Sequence, residues 1–173
     1  LNNTISVTDT ATIGGTSTGQ ITLGAVTLAD GETLTVGAGA ATPITIGSVD
    51  NTTTANSSSL TINTTGAAGV TGSVGGTEAL NTVTVTQTGG MTFGDTVDAQ
   101  TVTLTDTTGT IAFNGALTAD TLGTAVQDYN VAINEGGTIT NAVSFDNTGT
   151  LTLGDETADD LAFTAGVAAT SPS

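Results

Sequence analysis

Four columns of like residues, twenty positions apart, constrain the fold of this chain more than any other feature. Positions 91, 111, 131 and 151 hold Met, Ile, Val and Leu, and positions 93, 113, 133 and 153 hold Phe, Phe, Ile and Leu. Between them run Thr, Ala, Ala and Thr, and immediately after them Gly, Asn, Asn and Gly at 94, 114, 134 and 154. Two apolar residues flanking a small one lie on one face of a β-strand. A following Gly or Asn tolerates positive φ and lets the chain turn. The same unit recurs upstream as ITLG (21–24), LTVG (34–37), ITIG (44–47) and LTIN (60–63). A strand-and-turn unit held at a fixed period is the signature of stacked repeats.

The chain reads as a single all-β domain over 1–173, with a less regular half at 1–73 and regular repeats at 74–173. In the first half the unit starts at 21, 34 and 44, so short strands joined by turns of varying length are expected. SVDNTTTANSSS (48–59) predicts a polar loop, and GAAGVTGSVGG (66–76) a second loose stretch. From 74 the pattern tightens: VGGTEALNTVTVTQ (74–87) aligns with FGDTVDAQTVTLTD (93–106) at an offset of nineteen. Two folds accommodate this writing. In a parallel β-helix, or β-solenoid, of about twenty residues per coil, the apolar columns become internal ladders. An antiparallel sandwich of the jelly-roll kind also needs a turn every 8 to 12 residues. The fixed register favours the solenoid, because a sandwich has no reason to keep it. Only four Phe and one Tyr occur, which suits a thin core of Val, Ile, Leu and Ala.

Composition then excludes chemistry. The chain has no Lys, Arg, His, Cys or Trp, and its 16 acidic residues give a formal charge of −16. Without His and Cys there is no zinc finger, thiolate nucleophile or Ser-His-Asp triad. Without Lys and Arg there is no Schiff base and no basic patch for nucleic acid. So acidic a surface repels phosphate backbones and anionic lipid headgroups alike. Trypsin-like proteases have no site to cut, and no side-chain salt bridge can form within the chain. Stability must come from backbone ladders, apolar columns and, as one option, bound cations. A secretory signal needs a basic n-region, so either such a signal was removed or the chain was never secreted. Abundant β-branched residues argue against disorder despite the charge.

The carboxylates are the only charged side chains. Asp95, Glu135 and Asp155 each follow the turn residue, and Asp155, Glu156, Asp159 and Asp160 form the densest cluster, DETADD. Hard oxygen ligands at that density suit Ca²⁺, with Asp95 and Glu135 as weaker candidates. The bland reading is a solvated acidic edge that keeps β-structure from pairing with other chains. Asn2, Asn51, Asn56 and Asn63 each begin an N-glycosylation pattern. Paired carboxylates also suit glycoside hydrolysis, but sugar-stacking aromatics are nearly absent, so no catalytic residue is assigned. Thr-x-Thr runs such as 82–86 and 101–105 suggest a flat hydroxyl array of the ice-binding kind. That array lapses at Gly123 and Ala125, and outward-facing β-formers explain the Thr as well.

Through ITLG, MTFG, TVTLTD and similar units, the chain resembles the Thr/Gly-rich β-repeat regions of large bacterial surface proteins. These are S-layer proteins and the passengers of filamentous-haemagglutinin and autotransporter-type adhesins. Calcium-binding members carry GGxGxDxxx nonapeptide arrays, which this chain lacks. The resemblance implies an extracellular or cell-surface protein with a structural or adhesive role. The expected function is non-enzymatic: self-assembly with further copies of itself into a layer, filament or stalk, by strand pairing or donor-strand exchange. In the latter, the N-terminal LNNTISVTD (1–9) would complete a neighbour's sheet. The alternative is a binding module whose loops, 48–59 above all, contact a glycan or host ligand.

Overall fold

A computed structural model describes residues 4–105 and 108–172 of the chain. Asn2 lies outside the described residues, as do the first three positions of the donor-strand segment. The chain winds as a β-solenoid with three strand-bearing faces per coil. Every strand pairing between coils is parallel, and no helix occurs among the described residues.

On the first face Ile21, Ile44, Ala68, Met91, Ile111, Val131 and Leu151 stack in register. The second face stacks Ile5, Val26, Val49, Val74, Val97, Leu117, Gly137 and Leu161. The third carries Ala11, Leu34, Leu60, Val83, Val102 and Leu122, with Val143 and Val167 paired beyond them. Alternation does the rest: on each face the residue two further along also points inward, and the one between points out. The inward columns make one continuous core from Val7 to Phe145. Phe93 and Phe113, fully buried in neighbouring coils, stack with ring centroids 4.8 Å apart and planes 8° off parallel.

The first-face column fixes the coil length. It steps by 23, 24 and 23 residues from Ile21 to Met91, and by 20 thereafter. The extra residues sit mainly at the corner between the second and third faces. Residues 52–58 leave the sheet there between Ile44–Asn51 and Ser59–Asn63, and residues 75–79 do so between Val74 and Leu80–Gln87. In the next coils the strands Val97–Leu104 and Leu117–Thr124 run straight round that corner, and the coil shortens. The strict twenty-residue step read from position 91 onward is realised on this face from Met91 to Leu151, and the last coil lengthens to 24 on the other two faces, from Gly137 to Leu161 and from Val143 to Val167.

The irregular motif spacing of the first half has a separate cause. ITLG and ITIG lie on the first face, Ile21 on Ile44, whereas LTVG and LTIN lie on the third, Leu34 on Leu60. Read as one series they look erratic; read as two faces they are in register. Two loop expectations are corrected in consequence. Residues 48–51 belong to a strand, so the polar loop begins at 52, and the stretch 66–76 contains the strand Ala68–Val70 and the paired Val74. The nineteen-residue alignment is realised where Thr82, Val83, Thr84 and Val85 meet Thr101 to Leu104. Val74, however, pairs with Val97 rather than Phe93, because the 75–79 loop absorbs four residues.

Outward positions of the third face form two hydroxyl columns. One runs through Thr12, Thr35, Thr61, Thr84 and Thr103, the other through Thr33, Ser59, Thr82, Thr101 and Thr121. The array that lapses toward the C terminus is thus continuous in the earlier coils. At the corner leading back to the first face, Thr42, Thr64, Thr88 and Asn147 are buried polar residues. The Thr64 hydroxyl donates toward the carbonyls of Ala40 and Thr42, at 2.9 and 2.6 Å, and accepts from the Thr42 and Gly66 N–H groups. Small hydroxyl side chains thereby satisfy backbone groups that the turn takes out of the ladder.

Candidate functional site

The loop 52–58 is the largest departure from the ladder at the corner between the second and third faces, and one carboxylate from the coil below organises it. Asp30 Oδ1 accepts from the Thr52 hydroxyl at 3.0 Å and from the Thr53 and Thr54 N–H groups at 3.3 and 3.1 Å. Asp30 Oδ2 accepts the Thr53 and Thr54 hydroxyls at 2.7 and 2.6 Å. The Thr54 and Thr53 hydroxyls hold this exposed carboxyl far below the usual carboxylate range. Asp50 repeats the device one coil on: its oxygens accept the N–H groups of Thr77 and Glu78, at 3.0 and 3.1 Å, pinning the 75–79 loop. Each insertion is held by an acid from the preceding coil.

Beneath the two pinned loops lies a shallow cavity of about 130 Å³, lined by Asn56, Ala79, Asp98, Gln100, Thr118 and Asp120 among others. Asp98 projects outward from the second face and Asp120 stands just past that face on the next coil. Burial raises the Asp98 carboxyl above its ordinary range, and the charge of Asp120 adds to the effect. Asn56 overhangs the cavity in the left-handed conformation, φ 58°, with its N–H on the Ala79 carbonyl at 2.6 Å. Amides, hydroxyls and two carboxylates converge there, a lining suited to hydroxyl-rich or cationic ligands. The sequence carried no sign of this group, because the acids belong to different coils and the loops set their spacing.

The carboxylates singled out from sequence are placed elsewhere, at the corner between the first and second faces. The turn residues Gly94, Asn114, Asn134 and Gly154 do stack there, each N–H bonded to the coil before. Asp95 and Glu135 are exposed, and Asp95 Oδ1 accepts the N–H of its own neighbour Thr96 at 2.8 Å. In DETADD, Asp159 Oδ2 accepts the N–H groups of Asp155 and Glu156 at 2.7 and 2.8 Å, which closes a turn that begins at Gly154, φ 75°. Asp155, Glu156 and Asp160 point to solvent. Among the described residues no three acids gather where they would hold one metal ion.

The glycosylation patterns fare differently from one another. Asn56 is exposed at the loop tip, while Ser58, two residues on, is buried with its hydroxyl on the Ala29 carbonyl at 2.8 Å. Asn51 is buried, and its amide nitrogen donates to the Ala79 and Glu78 carbonyls at 2.6 and 3.4 Å. In the folded chain that nitrogen is closed to a glycosylating enzyme. Asn63 is half-buried and accepts the Gln87 amide at 3.0 Å.

No protein-family model matches the chain, and no curated protein or solved structure compared with it is significantly similar.

Proposed function

We propose that this chain is a non-enzymatic structural element of an extracellular assembly: a rigid acidic shaft in a surface layer, filament or adhesin stalk. The observation that carries this reading is the stack itself, two eight-stranded parallel ladders and a separate two-stranded one, whose outermost described strands each have a free edge. At one end Ile5, Ala11, Ile13 and Ile21 are only partly buried; at the other, Leu151, Leu161 and Phe163 are partly buried, and Leu153 and Val167 are exposed. A further coil of the same kind, from this chain or from another copy, would pair with these edges and bury them. The lack of Lys and Arg supports a place where trypsin-like proteases act. The resemblance to Thr/Gly-rich surface repeats points the same way. Negative-stain images of concentrated protein, with and without Ca²⁺, should show end-joined rods or sheets. Monomers alone under every condition would refute self-assembly.

A second reading has its own support in the pinned loops and the cavity beneath them: a binding module for a glycan or host ligand. Retention of monomers on a glycan array, lost on Asp120→Asn or on deletion of 53–57, would favour it.

A further inference from the structure

Asn114 and Gly115 form the chain's one Asn-Gly pair, and they sit on the outer corner between the first and second faces. Asn114 is exposed; its backbone N–H is fixed to the Phe93 carbonyl at 2.8 Å. Its side-chain oxygen accepts the amide of Asn134, one coil on, at 2.8 Å. The Gly115 N–H makes no hydrogen bond among the described residues. We propose that Asn114 is a self-modification site, where the Gly115 nitrogen closes on the Asn114 side chain and the Asn134 amide serves as the oxyanion donor.

The chemistry uses only water. The Gly115 nitrogen attacks Asn114 Cγ, the N–Cγ bond forms, and the Cγ–Nδ2 bond breaks. Ammonia leaves with the proton from the Gly115 N–H, and a five-membered imide remains. Water then opens the imide at either carbonyl, giving aspartate or isoaspartate at 114. Glycine is the residue that least hinders this closure, because it has no Cβ to crowd the attacking nitrogen and turns most freely. Negative charge develops on Asn114 Oδ1 during attack. A donor already 2.8 Å from that atom stabilises the charge without reorganising.

The corner makes the outcome consequential. A Cβ on Gly115 would overlap the backbone of Asp95 and Thr96 in the preceding coil, so the backbones are in contact at that point. Isoaspartate adds a methylene to the main chain beside that contact, which displaces the corner from the preceding coil. The aspartate product instead places a new charge between Asp95 and Glu135 on the same corner. Asn134, the next residue in the column, is followed by Glu135 rather than Gly and provides an internal comparison.

The test is to incubate the folded chain at mildly alkaline pH, then digest it with an Asp/Glu-specific protease, since trypsin has no site. The expected result is that Asn114 gains the mass of O for NH, with an isoaspartyl fraction, before any other asparagine. The Asn134→Gly variant keeps a residue that the same column tolerates at Gly94 and Gly154, and it should convert more slowly. Its fold is checked by circular dichroism. Asn114 unchanged when a free peptide of 108–120 has converted fully would overturn the site. Equal rates in the parent and in N134G would overturn the role of Asn134.

Discussion

Replacing Phe113 with Ala tests whether the apolar columns hold this fold together. The ring is fully buried, with Phe93 stacked on it from one coil at 4.8 Å and Ile133 in register on the other side. Truncating a buried Phe costs about 3–5 kcal/mol, because transfer energy is lost and the cavity closes only in part. Stacked pairs contribute about 0.5–1.5 kcal/mol beyond their area, so F113A belongs in the upper part of that range. Phe163→Ala is the comparison. That ring is partly exposed in the last coil and meets Phe145 edge-on at 6.1 Å and 86°. Its loss should cost about 2 kcal/mol or less, since part of its surface is already in water. Urea unfolding followed by the fluorescence of Tyr129, the chain's one tyrosine, gives both numbers. Coils touch only their neighbours, so amide exchange in F113A should rise first around 91–93, 111–113 and 131–133. A cost below about 1 kcal/mol, or one no larger than that of F163A, would mean that the column is not a packed core.

Other substitutions probe the remaining supports. Gly37→Ala should prevent stable folding, because Gly37 has φ 92° and its Cβ would overlap the Asn63 carbonyl; Gly31→Ala, with φ 87° but open space, should cost only the strain of about 1–2 kcal/mol, both read by thermal melting. Tyr129→Phe removes the hydroxyl that donates to the Leu104 carbonyl and accepts the Ala125 N–H; since Ala125 also bonds Leu104 directly, the loss in urea unfolding should be about 1 kcal/mol. The pH signs differ for two acids. Asp30 has a folded pKa below its unfolded one, so its contribution is present above the ordinary carboxylate range and fades as pH falls; the melting gap between parent and Asp30→Asn should be largest at neutral pH and shrink toward pH 2. Asp98 is shifted upward, so its charged form opposes folding, and Asp98→Asn should raise the melting temperature at pH 7 with a gain that disappears as pH drops through the carboxylate range. Reversal of either trend would refute the assigned environment.

Legibility in the sequence followed the physics of each feature. The columns at 91, 111, 131 and 151 were readable because one face repeats with constant coil length, and strand pairing turns that period directly into register. Upstream, Leu34 and Ile44 carry the same motif on different faces. Alternation says which side of a strand is buried, but not which side of the coil the strand occupies. Asn51 shows a further limit. Its polarity and its neighbours suggest a loop, yet it is an inward strand residue whose amide donates to two carbonyls of the adjoining loop. The cavity with Asp98 and Asp120 was invisible because loop length, not local pattern, brings its lining together.

A chain with 16 acids and no base still has to accommodate its carboxylates, and the hydrogen bonds show how it does so. Acids are absent from the outward centres of the first face (Thr22, Thr45, Gly69, Thr92, Ala112, Ala132, Thr152) and from both hydroxyl columns of the third. Among the described residues they lie on the second face and at the corners, where the backbone leaves the ladder and its N–H groups need acceptors. Asp30 and Asp159 each take two N–H groups and Asp50 takes three, while Asp146 takes the hydroxyls of Ser144 and Thr170 at 2.7 and 2.9 Å. Those two hydroxyls, Ser144 first, hold Asp146 below the ordinary range, just as the threonine hydroxyls do for Asp30. Hydrogen bonds to a charged acceptor are stronger than neutral ones. The Thr-rich, Lys-free composition is therefore a single solution: threonine and backbone donors take the place of the missing cations. Asp30, Asp50 and Asp146 then fasten coil to coil where the sheet cannot, while Asp159 closes its own turn.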